Sequence, residues 1–170
     1  MKTTEQTDSV FERLPDQARL WVFGSEHPLS GPARAALLAR VDGFLSRWKA
    51  HGAPLAAGRA WLYDRFLAVA VDESVTPPSG CSIDALVHML KELEAEIGSR
   101  LVDNTPVYYL SARGVERVSR GGFRKLADAG DVTLDTPVFN NTITRLDEFR
   151  EGKWEGPARH SWQGRAFFRV

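Results

Sequence analysis

Between Asp72 and Asp84 the chain collects Asp72, Glu73, Ser74, Thr76, Ser79, Cys81, Ser82 and Asp84 within thirteen residues. An apolar run enters this segment and an amphipathic pattern leaves it, so it reads as a strand-to-helix loop. Cys81 is the only cysteine. A thiol beside the first turn of a helix lies where unpaired N–H groups and the helix dipole favour the thiolate. That makes Cys81 a candidate nucleophile or redox-responsive thiol. A cysteine nucleophile needs a base in hydrogen-bond reach, and His88 is two turns on, about 10 Å along the axis. Within one helix it cannot serve Cys81 directly, which leaves His27, His51 and His160 to approach through the fold. The simpler reading of Cys81 is a small residue closing the loop under the helix cap.

Asp72 and Glu73 end the strand, where carboxylates can do acid–base work or mark the exit to solvent. Asp84, His88 and Glu92 share one helix face at spacings of four. An Asp–His pair can tune a base, but two ligands fall short of the three or four of a metal site, so no metal is expected. Asn140 and Asn141 can orient a ligand or supply donors to an oxyanion, and equally form a turn. Arg113, Arg117, Arg120, Arg124 and Lys125 form a basic cluster able to meet the phosphates of RNA or a nucleotide, or simply a solvated face. The candidate catalytic residues are therefore Asp72, Cys81 and His88. The candidate binding residues are Glu73, Ser82, Asp84, Asn140, Asn141, His160, Arg120 and Arg124.

The elements that must position these groups follow from periodicity. Leu20–Phe23 is a short apolar run rich in strand formers. Leu37, Leu38, Val41, Phe44, Leu45 and Trp48 recur at helical spacing after Pro32, with Gly52 and Pro54 as the stop. Ala60–Tyr63 and Phe66–Val71 read as a hairpin, the second strand unbroken in its apolarity and so buried on both faces. Ser82 is the predicted N-cap of the next helix, whose stripe is Ile83, Leu86, Val87, Leu90, Leu93 and Ile97, and Gly98 ends it. Val107–Leu110 is a fourth strand. This order predicts an α+β fold, a ferredoxin-like βαββαβ antiparallel sheet with two helices on one face. Residues 113 to about 130 are expected to include a third helix, and Pro137–Ile143 a further strand. The tail with Trp154, Trp162, Phe167 and Phe168 is too aromatic to lie free in water and should pack back. Trp21, Trp48 and Trp61 belong to the core. We expect residues 1–16 to be a flexible arm, with Phe11 and Leu14 as possible anchors. Residues 17–170 then form a single domain, with a C-terminal extension from about residue 112.

The composition is that of an ordinary globular protein, 43% hydrophobic and 26% charged. Lys plus Arg equals Asp plus Glu at 22 each, so formal net charge is zero. That balance counts against a general nucleic-acid binder. A single cysteine forms no internal disulfide and fits a reducing cytoplasm. The polar start contains no signal-peptide pattern, and no run approaches a membrane span. We expect no cofactor and no membrane partner.

Several strings taken in order are similar to a known family: Trp21-Val22-Phe23-Gly24-Ser25, Trp48-Lys49-Ala50-His51-Gly52, Tyr63-Asp64-Arg65-Phe66, Gly80-Cys81-Ser82-Ile83-Asp84 with Val87 and His88, Val138-Phe139-Asn140-Asn141, and Trp154-Glu155-Gly156-Pro157 with Ser161-Trp162. They resemble an uncharacterised family of bacterial proteins, common in the Bacteroidetes and their relatives, whose members often carry the automatic label "ABC transporter ATPase". The resemblance runs from about residue 17 to the end. It implies a bacterial cytosolic protein and brings no activity, substrate or catalytic residues. The ATPase label fails on mechanism, because such an enzyme needs a G-x-x-x-x-G-K-[ST] phosphate loop between strand and helix. Gly80 is followed by Cys81 and Ser82, and Gly121-Gly122 by Phe123-Arg124-Lys125. ATP is therefore not an expected ligand.

The leading expectation is a non-catalytic cytosolic binding or protein-interaction module, with an unknown protein or a second copy as partner. One alternative is a small enzyme using the Asp72–Asp84 loop, with Cys81 or a carboxylate as the reactive group. The other is an RNA- or phosphate-binding module using Arg113–Lys125.

Overall fold

A computed structural model describes residues 6–169. In chain order the elements are β1 (Gln6–Thr7), α1 (Ser9–Arg13), β2 (Arg19–Gly24), α2 (Gly31–Arg47), β3 (Lys49–Ala50), β4 (Ala53–Pro54), β5 (Ala57–Leu62), β6 (Phe66–Val71), α3 (Gly80–Ile97), β7 (Val107–Ser111), β8 (Gly114–Val118), α4 (Arg120–Ala129), β9 (Pro137–Phe139), α5 (Leu146–Arg150), β10 (Glu155–Pro157), a 3₁₀ turn (Ala158–His160) and α6 (Trp162–Phe167). The protein is thus α+β, with antiparallel sheets. Among the described residues no helix is long and apolar enough to cross a membrane. The chain divides into two compact units, one running to Asp103 and including Thr144–Asp147, the other Asn104–Ile143 with the chain from Glu148 on.

In the first unit the sheet order is β1-β5-β6-β2. Each strand pairs antiparallel with its neighbour. β6 lies between β5 and β2, and all six of its residues are buried, as its unbroken apolar run requires. Alternation sends Trp61, Leu67, Val69, Val71 and Phe23 to one face, where they form a single cluster with Leu37, Val41 and Leu45 of α2 and Leu86, Leu90 and Leu93 of α3. Met89 is buried in α3, while Ile83 and Val87 of the predicted stripe are only half-buried. Arg59 also lies on the helix side. It is 9% exposed and grips Asp42 of α2 with two hydrogen bonds of 2.8 and 2.9 Å. The Asp42 hydrogen bonds raise the Arg59 pKa further, against the opposing effect of burial.

The opposite face is lined by small residues, Gly58, Ala60, Ala68 and Ala70. Their size lets α1 approach the sheet, and α1 buries Phe11. Residues 1–5 of the expected arm lie outside the described residues. The rest of that segment is structured: β1 pairs with β5, and Asp8 caps α1 while its other carboxylate oxygen accepts the Arg59 N–H.

The observed order departs from the expected ferredoxin-like one at the fourth strand. β7 does not lie beside β2; the Thr144–Leu146 segment does. The Leu20 N–H donates to the Thr144 carbonyl at 2.8 Å and the Leu146 N–H to the Ala18 carbonyl at 3.0 Å. β7 instead joins β8 and β9 in a second sheet ordered β10-β9-β7-β8. The cause is local. Gly114, at φ 116, turns the chain straight back after β7, so the nearest antiparallel partner is a hairpin strand rather than β2. That strand occupies the start of the stretch expected to be helical, and α4 begins only at Arg120.

The second helix also ends earlier than Gly52 would suggest. It stops at Arg47, and His51 and Gly52, at φ 50 and 80, form the turn of the β3–β4 hairpin. In the second unit, Phe123 of α4 is fully buried against Val107, Val138 and Phe167. The aromatic tail packs here, with Phe167 and Phe168 centred 5.3 and 6.2 Å from Phe123.

Candidate functional site

The entry to α3 is built by serines. Ser79 is the N-cap: its hydroxyl accepts the Ser82 N–H at 3.1 Å. The Ser82 hydroxyl in turn accepts the Ser79 N–H at 2.7 Å. The predicted cap at Ser82 is thus displaced by one turn, and Ser82 closes a reciprocal box. Ser82 is 4% exposed, and its carbonyl accepts the Trp48 indole N–H at 2.8 Å. That bond ties the helix start to the end of α2. Cys81 is exposed in the first turn. Asp72 closes a turn by accepting the Ser74 N–H at 2.9 Å and its hydroxyl at 2.6 Å. Glu73 is exposed, 3.9 Å from Arg19. Asp84 is exposed, and His88 pairs forward with Glu92 at 3.0 Å rather than back to Asp84. Each group therefore has a local structural role or faces water. Among the described residues no group of three or more His, Cys, Asp and Glu is placed to hold a metal ion.

In the second unit, Asn140 forms a turn by accepting the Thr142 N–H at 3.1 Å. Asn141 accepts the Trp154 indole N–H at 2.9 Å, and Trp154 packs on Phe139 with ring centres 5.0 Å apart. His160 is exposed in the 3₁₀ turn. The basic cluster is largely engaged. Arg113 pairs with Glu116 at 3.3 Å. Arg120 donates to the Thr105 carbonyl at 3.1 Å and lies over Trp162 at 5.0 Å. Arg124 donates to the Ala166 carbonyl at 2.7 Å and lies over Phe167 at 5.5 Å. The cations of α4 thus hold α6 by stacking and hydrogen bonds. A cavity of about 280 Å³ remains at the start of α4, lined by Thr105, Pro106, Arg117, Ser119 and Arg120.

Three features of the first unit were not legible as site residues. One is a buried polar cluster at the end of the sheet, where Ser25, Arg65 and Ser99 are 0%, 6% and 5% exposed. Ser25 donates to the His27 carbonyl at 2.6 Å, and Ser99 accepts the His27 N–H at 3.0 Å. The neighbouring hairpin turns through Tyr63 and Asp64, both at positive φ, 56 and 51. Asp64 is held there by Arg34 at 3.0 Å. These contacts satisfy loop backbone, so the cluster reads as the lock of three chain ends. The second feature is the groove between α2 and α3, a cavity of about 390 Å³ whose lining includes Ala39, Gly43, Phe44, Ala85 and Met89. Arg40, Arg47, His88 and Glu92 also line it. The third is a pocket of about 540 Å³ at the Arg19 end of β2. The small residues exposed on α2, Ala35, Ala36 and Ala39, gave the only signal in sequence for the groove.

Comparison with protein-family models, with curated proteins and with solved structures returned no match.

Proposed function

We propose that the chain is a non-catalytic, cytosolic protein-interaction module of bacterial type. It works through the outer face of α2 and α3, and its partner is a second copy of itself. One observation carries the reading: this face combines small exposed residues with opposite charge on its two helices. On this face α2 presents Arg40 and Arg47 and α3 presents Glu92 and Glu96, with Arg40 3.0 Å from Glu96 and 3.8 Å from Glu92 across the groove. Ala35, Ala36, Ala39 and Ala85 are exposed between the charges. A two-fold axis along the groove sets the basic helix of each copy over the acidic helix of the other, a self-complementary contact. Two helices of this length span about 26 Å and, side by side, cover roughly 500 Å². That is the size of a weak, exchanging contact rather than an obligate one.

The dispersal of Asp72, Cys81 and His88 lends the enzyme reading less support. The engagement of Arg120 and Arg124 with the tail does the same for a nucleic-acid surface. Sedimentation velocity across a concentration series tests the proposal. A rise in mean sedimentation coefficient toward about 500 μM is expected at low salt. Added salt should weaken it, and Ala39→Lys, placed in the groove, should abolish it. A single monomeric species throughout the series sinks the reading.

A further inference from the structure

The groove between α2 and α3 holds one histidine among its fixed charges. Arg40 of α2 meets Glu92 and Glu96 of α3, and Trp48, just past the end of α2, meets Ser82 at the start of α3. The two helices therefore run antiparallel, and His88 lies at the level of Gly43 and Phe44, between Arg40 and Arg47. Its side chain is 75% exposed, and its Nε2 stands 3.0 Å from the Glu92 carboxylate. That carboxylate is shared, since Arg40 approaches it to 3.8 Å. Further charges on the elements packed here are Asp84, one turn back on α3, and exposed Lys49 of β3, which also packs on α3. Asp42 of α2 is engaged by Arg59 of the sheet.

A two-fold axis along the groove keeps every residue at its own level. His88 of one copy then faces the second copy's α2 between its Arg40 and Arg47. Arg40, Arg47, Glu92 and Glu96 balance on each face, and a neutral imidazole leaves that balance intact. Protonation adds one positive charge per copy, directed at two arginines of the other. It also strengthens the bond to Glu92 within its own chain, taking that carboxylate from the second copy's Arg40. Histidine changes charge between about pH 5 and 8, where carboxylates and guanidinium groups keep theirs. We propose that His88 makes the self-association of this face pH-dependent: the two copies join with His88 neutral and part on its protonation. The inference rests on the self-association proposed above for this face. By linkage, joining releases protons, so the contact is complete above the histidine range and is lost as pH falls through it.

The test is sedimentation velocity of the whole chain over one concentration series at about pH 8 and about pH 6, at the same low ionic strength. The dissociation constant should rise about three- to tenfold at the lower pH, the scale of two exposed like-charge contacts. His88→Gln, which stays neutral, should associate at the lower pH as the native chain does at the higher. His88→Lys, which stays charged, should associate weakly at both. His51→Gln, at an exposed histidine of the β3–β4 turn, should keep the native pH dependence. Thermal melts at both pH values check that each variant is folded. Equal association of the native chain at both pH values overturns the inference and leaves the face itself standing. So does a His88→Gln variant with the full native pH dependence. No association even at the higher pH overturns both readings together.

Discussion

Gly58→Ala isolates how the first unit holds its N-terminal segment. Gly58 lies in β5 opposite Ala70, on the face covered by α1. A Cβ there would stand 2.3 Å from the Phe11 nitrogen and 2.7 Å from both the Phe11 Cα and the Asp8 carboxylate. Two of these are backbone atoms and cannot rotate aside, so α1 must lift from the sheet. Lifting exposes Phe11 and Leu14, now 5% and 6% accessible. Each side chain contributes about 1.5–3 kcal/mol through burial. It also breaks the Asp8 cap, a further loss of about 1 kcal/mol. Alanine returns about 0.5 kcal/mol, because glycine in a strand loses more chain entropy on folding. The expected destabilisation is therefore about 3.5–6.5 kcal/mol.

Urea unfolding gives the total, and hydrogen exchange of the Phe11 and Glu12 amides shows whether release is local. A double-mutant cycle with Phe11→Ala sharpens the test. Phe11→Ala alone should cost about 3–5 kcal/mol, yet little in the Gly58→Ala background, where the ring is already exposed. If the two losses simply add, or if Gly58→Ala stays within about 0.5 kcal/mol of the native chain, the account of α1 is wrong.

Further outcomes follow from the same physics. Asp42→Asn should cost about 1–2 kcal/mol by urea unfolding; it removes the charge facing Arg59, whereas the half-exposed setting of Asp42 limits the loss. Asn141→Ala should cost about 1–3 kcal/mol by the same measurement, since it leaves the indole N–H of the buried Trp154 without its partner. Burial first, and then the Glu116 carboxylate, raise the Tyr109 phenol pKa. With the folded value above the unfolded one, the contribution is complete below about pH 10 and falls away as pH rises through the folded value. Tyr109→Phe should therefore flatten the loss of stability on the alkaline side, read as urea midpoints against pH, and an unchanged slope would refute that role.

Much of the local structure was legible in the sequence because it is governed by short-range patterns. The unbroken Phe66–Val71 run announced a strand buried on both faces, and Gly98, at φ 67, ended its helix where a left-handed residue was needed. The Asn140 turn and the packing of the tail aromatics follow from residue type in the same way. Ser79 was passed over as the cap of α3 because Ser79 and Ser82 form a reciprocal pair, and either reads as a cap when taken alone. Val115 and Val118 were absorbed into a helical window because a five-residue edge strand with charges between its valines carries little periodicity.

What the chain determines alone is its longer, strongly patterned strands and helices, whose periodicity is a local property. Which strands meet was decided only in three dimensions. A segment more than a hundred residues downstream, Thr144–Leu146, took the place beside β2, and no local pattern encodes so distant a pairing. For the same reason nothing in the sequence links Arg19 to Arg145, which strand register sets opposite each other in an antiparallel bridge.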